Sequence, residues 1–254
     1  MKQNLKMRMT VTDHLEELRW RIIRCIIYIV AASAVSLFFT EQILNIIKFP
    51  SKDIIENFLI LKPAESIAIY VKTAFFAGLA VAALPVFYEL FAFIKPAASK
   101  EQNISAIKWV ISAFILFISG ILFAYFLVLP KAISFLMGLS QGLTGTPSQI
   151  TLTSYVSFVC ALVFCGGIIF QIPLMAYILT KLDLITPKLL AGKRKEAYFA
   201  LCVAAAVITP TTDAFSMALF VVPMILLYEI GVIISKTVYK KRIVPGGEVY
   251  EQKN

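Results

Sequence analysis

Histidine is nearly absent: the 254 residues hold one, His14, beside four cysteines at 25, 160, 165 and 202. No two cysteines form a CxxC pair, so a His/Cys metal site is excluded, and all four lie in or beside apolar segments as small packing residues. Charge is scarce as well, with 15% charged residues against 59% apolar ones. A water-soluble domain of this size could not bury so much apolar surface, which leaves lipid as the natural solvent. The formal net charge of +9 falls in short stretches between apolar runs, without a basic-aromatic patch, so nucleic acid is excluded as a partner. No nucleophile–base arrangement and no ATP-binding motif are present, and the pattern implies neither an enzyme nor a cofactor. No internal repeat with matched half-helices appears, which counts against an inverted-repeat transporter. The polar start runs to Arg24 and carries Asp13, Glu16 and Glu17, which suits a cytoplasmic tail leading into a retained helix rather than a cleaved leader.

What is abundant is long apolar runs. A span needs roughly 20 apolar residues to cross about 30 Å of hydrocarbon. Six candidates follow, at about 22–40, 69–94 with Pro85 inside, 107–130, 155–182, 196–208 and 215–235. They predict an all-α polytopic fold in one transmembrane domain over 1–242, with 243–254 as a disordered cytoplasmic tail. The fifth span is short: 196–208 rises only about 20 Å at 1.5 Å per residue. It must thin the bilayer, shelter among neighbours, or start earlier with Lys193, Arg194 and Lys195 snorkelling. Lys and Arg set the orientation. Of the 24, all but Lys48, Lys52, Lys62, Lys72 and Lys131 fall on the side of the termini, which places both ends in the cytoplasm. Prolines 50, 63 and 147 and glycines 142 and 145 punctuate the two longer outer connections, which are expected to cap the outer face.

Several residues could carry chemistry. Asp13 and Glu16 read as a helix cap and capping box, with Leu15, Leu18 and Ile22 forming an apolar stripe along the membrane surface. Glu17 and Arg21 stand one turn apart and can pair. The segment reads either as a solvated helix start or as an acidic docking point for a cationic partner. Pro96 stops the second span, and Glu101 is a second cytoplasmic carboxylate. Gln171 follows Gly166 and Gly167 and precedes Pro173, so helix four is expected to bend where it carries an amide that must face protein or water. Glu229 and Glu89 are carboxylates within spans. From residues and topology alone, a proton-coupled small-solute transporter using Glu229, Glu89 and Gln171 leads.

Five stretches taken together resemble the TatC family, the signal-peptide receptor subunit of the twin-arginine protein translocase. His14-Leu15-Glu16-Glu17-Leu18-Arg19 is similar to its HLxELR signature, and 91–97 to its aromatic F-x-x-P-A inner-loop stretch. Phe170-Gln171-Ile172-Pro173 resembles an F-E-x-P motif, 208–213 the last outer turn, and 220–231 the P-x-x-x-L-x-E-I-G sixth helix. The resemblance spans roughly residues 11 to 242. It implies a cytoplasmic site for paired arginines built from Glu17, Leu18 and Arg19, with Phe93 and Pro96 shaping it. The family's loop glutamate aligns on Gln102, and Glu101 one position earlier is expected to substitute. Gln171, where the family usually has glutamate, would contact a partner helix, with Pro173, Asp213 and Glu229 as further intramembrane or outer-turn positions. The implied partners are twin-arginine signal peptides, single-span TatA/TatB-type subunits, further copies of the chain in a receptor complex, and the lipid bilayer. The implied energy source is the proton-motive force.

Overall fold

The computed structural model describes residues 11–52, 54–55, 58–94, 106–144, 150–208 and 214–243. Helix α1 (Val11–Leu37) runs from the termini end to the opposite end, where a two-residue turn leads into α2 (Thr40–Lys48). The remaining helices are α3 (Pro63–Ile94), α4 (Ala106–Phe123), α5 (Leu129–Thr144), α6 (Leu152–Ile169), α7 (Ile172–Lys181), α8 (Pro187–Gly192), α9 (Arg194–Ile208) and α10 (Ala214–Ile243). Five stretches are long and apolar enough to cross a bilayer: α1, α3, α4 continued by α5, α6 continued by α7, and α10. The sixth crossing belongs to α9, whose 15 residues make it the short one. The fold is therefore all-α and polytopic, with six membrane helices of unequal length.

Close approach between helices rests on residues without side-chain bulk, as expected where lipid offers no hydrophobic drive to association. On α3, Gly78 lies so near Ser33 of α1 that an added Cβ would overlap the serine backbone and hydroxyl. Gly120 of α4 faces Gly166 and Gly167 of α6 in the same way, and Ala124 sits one turn on. Helix α1 packs principally along α3 and turns Ile26, Ile27, Val30 and Val35 outward.

The third crossing does not end near Pro130. A π-helical turn at Ala124–Val128 widens the coil, with the Leu129 N–H reaching back to Ala124, and the helix continues through Pro130 to Thr144. The wider turn accommodates a residue that has no N–H and would otherwise strike the preceding turn. The turn is packed: Ala124, Val128 and Leu129 are fully buried. Within it, the Tyr125 hydroxyl donates to the Ile46 carbonyl at 2.6 Å, and Tyr155 donates to Ile47 at 2.7 Å. Two carbonyls in the last turn of α2 are thus engaged, Ile46 in addition to the bond it accepts from the Phe49 N–H. Leu59 and Thr151 form a single parallel bridge, with Leu59 N–H to Ile150 at 3.2 Å and Leu152 N–H to Leu59 at 2.9 Å. That bridge ties the first long connection to the start of α6. Residues 145–149, with Gly145 and Pro147, and the tail after Ile243 lie outside the described residues.

Candidate functional site

At the termini end, the opening turns of α1 meet the final turns of α3. Glu17 and Arg21 share one face of α1, four residues apart, and the Arg21 Nε donates to Glu17 Oε1 at 3.0 Å. Its Nη2 donates to the same oxygen. The third guanidinium nitrogen, Nη1, reaches across to α3 and donates to Glu89 Oε2 at 2.8 Å. Glu89 is only 4% exposed, and burying a carboxylate at that depth is costly without such a partner. Arg24, more than half exposed, stands 3.7 Å from the other Glu89 oxygen. Among the described residues, Glu17 Oε2 has no hydrogen-bond partner, although it is shielded from solvent. Phe93, half-buried, lies one turn beyond Glu89 on the same helix. Leu18 is half-buried and Arg19 exposed. Pro96, Glu101 and Gln102 fall outside the described residues.

A second polar group lies where the fourth crossing breaks. Helix α6 ends at Ile169 and α7 starts at Ile172, with Pro173 buried in its first turn. Gln171 sits in the break, and its side-chain amide donates to the Ala113 carbonyl of α4 at 3.1 Å and to Gly167 at 3.4 Å. Below it, Thr180 of α7 and Ser235 of α10 are paired at 2.7 Å, both buried.

The third group joins α9 to α10. Arg194 Nη2 donates to Glu229 Oε2 at 2.8 Å, and the Tyr198 hydroxyl donates to Oε1. Tyr228 donates to the Leu190 carbonyl of α8 at 2.8 Å and meets Tyr198 edge-on. Asp213 lies outside the described residues. The partners Arg194 and Tyr198 escape a reading of single residues. Their i, i+4 spacing at the start of the short span is the signal that could have found them. Glu89 was legible as a carboxylate within a span, but not as the second anchor of Arg21. Among the described residues no cluster of three or more His, Cys, Asp or Glu side chains could hold a metal ion.

The family model described as Sec-independent protein translocase protein (TatC) matches residues 13–223. The chain belongs to the TatC family. The matched range takes in the Glu17–Arg21–Glu89 group and Gln171, and stops short of Glu229. The TatC of Aquifex aeolicus is 36% identical over 237 residues, covering 92% of this chain and 98% of that one. TatCd of Bacillus subtilis is 34% identical over 233 residues, covering 91% and 93%. Among solved structures, the crystal structure of the twin arginine translocase receptor TatC superposes with a TM-score of 0.80 at 33% identity. It covers 89% of this chain and 99% of its own, so the TatC fold is shared over most of the chain.

Proposed function

We propose that this chain is the core receptor of a twin-arginine translocase: it binds the paired arginines of signal peptides on the cytoplasmic side and recruits single-span TatA/TatB-type subunits for export of folded proteins. The observation that carries the reading is Glu17, whose Oε2 is unpartnered at the termini end of α1. A guanidinium fork matches a carboxylate geometrically, and a site with an oxygen still open can accept one. Glu101 joins it from the inner loop, while Leu18, Arg19, Phe93 and Pro96 shape the surroundings. The relatives' names as translocase proteins support the same direction. The excess of Lys and Arg at the termini end supports a cell-membrane protein with both termini cytoplasmic. Gln171, Pro173, Asp213 and Glu229 mark the helices along which partner spans dock, and the receptor works as an assembly of several copies. A small-solute transporter gains no support, because Glu89, Gln171 and Glu229 are each engaged by groups of the chain itself.

The test is direct binding of a fluorescent twin-arginine signal peptide to the chain in nanodiscs. Wild type should bind it at least about tenfold more tightly than the lysine–lysine version, since Lys cannot fork. Glu17→Gln should erase that preference. Equal binding of both peptides by wild type would remove the receptor reading.

A further inference from the structure

A ligand arginine bound by Glu17 meets a complication in the free protein: Glu17 already holds an arginine. Arg21 could take both Glu17 oxygens end-on, and a carboxylate so engaged would have little left for a second guanidinium. It does not. Its Nε and Nη2 both go to Oε1, while Nη1 is drawn away to Glu89 Oε2 at 2.8 Å. The orientation leaves Glu17 Oε2 unpaired, shielded from solvent in the free protein. Glu89 is too deeply buried, at 4% exposure, for a peptide to touch.

We infer that Glu89 is a positioning residue for signal-peptide recognition: through Arg21, it keeps one Glu17 oxygen unpaired as an acceptor and restores negative charge that Arg21 would otherwise cancel. Two carboxylates share one bridging guanidinium, so the triad keeps a net charge of one carboxylate. The neighbouring Arg24 offsets only part of it. Arg24 lies 3.7 Å from Glu89, beyond hydrogen-bond reach, and being 57% exposed it is screened by water and salt. Arg19 is exposed, as is Glu16 beside it. The inference rests on Glu17 being the peptide's acceptor, and adds that its acceptance is set from a different helix.

The arrangement makes an unusual pattern of variants. Glu89→Gln frees Arg21 to close over both Glu17 oxygens, and twin-arginine peptide binding in nanodiscs should weaken about tenfold or more. Adding Arg21→Gln removes the internal competitor, so the double variant R21Q/E89Q should return to within about threefold of wild type. It also removes the buried Glu89 charge together with its partner and leaves only the partly exposed Glu17 unpaired, so it decides the matter even where E89Q alone does not fold. Unchanged binding in a folded E89Q, or a double variant that loses binding while a thermal melt shows it folded, would overturn the inference. A wild type that ignores paired arginines would instead overturn the receptor reading, which separates the two failures.

Discussion

Gln171 shows how a single polar atom is accommodated inside the apolar layer. Its amide nitrogen can donate twice, and both donations go to backbone carbonyls, one on α4 and one on its own helix. An ionised carboxylate at that place would offer only acceptors to acceptors. The amide therefore makes a structural cross-tie, and Gln171→Leu should lower stability by about 1 kcal/mol, read as an earlier thermal unfolding transition in detergent. Glycine at 120 and 166 is under a stricter limit, since any side chain there meets backbone or Ala124. Gly166→Val should cost at least about 1–3 kcal/mol in the same melt, through overpacking of the α4–α6 contact. That Gln171 requires a partner follows from the cost of an unpaired amide in lipid. Which carbonyl answers does not, because Ala113 is 58 residues away and only the packing of α4 on α6 brings it near.

Elements differ in how much of their shape is local. The break between α6 and α7 follows from Pro173 placed after two glycines, and the short α9 from the length of its apolar run; both are readable in the chain. The π-helical turn at 124–128 is not. Pro130 calls for a wider coil, but the place of the turn also reflects Tyr125 reaching a carbonyl of α2, a contact between segments 79 residues apart, and the burial of Ala124 and Val128 while Phe126 and Leu127 face outward. Helix α9 likewise depends on others. Its 15 residues rise only about 22 Å, too little to span hydrocarbon unaided. Arg194 and Tyr198 on Glu229 fix its first turns against α10, and Tyr228 of α10 in turn holds α8 through the Leu190 carbonyl. Glu229→Leu removes both anchors of α9 on α10. The segment carrying Lys188, Lys193 and Arg194 should then be cut by trypsin severalfold faster than in wild type, while cleavage elsewhere stays unchanged.

Across the whole molecule, the distribution of Lys and Arg makes a statement that can be checked without a partner. In a chain whose cysteines at 25, 160, 165 and 202 are replaced, a cysteine at Lys253 should react with a membrane-impermeant maleimide only after the cells are opened. One at Lys131 should react in intact cells. The number and order of the membrane crossings were legible because hydropathy and charge act residue by residue. The joining of Glu17 to Glu89 was not, because it depends on how α1 lies against α3. That seam has one tight crossing, Ser33 against Gly78, and α1 otherwise turns largely outward. Arg21 lies twelve residues down the same helix, a lever of about 18 Å. A methyl group at Gly78 would therefore act as a wedge at the fulcrum: without touching the acidic site, it would swing Arg21 out of register with Glu89, so that a contact in the middle of the bilayer calibrates the grip at the membrane's surface.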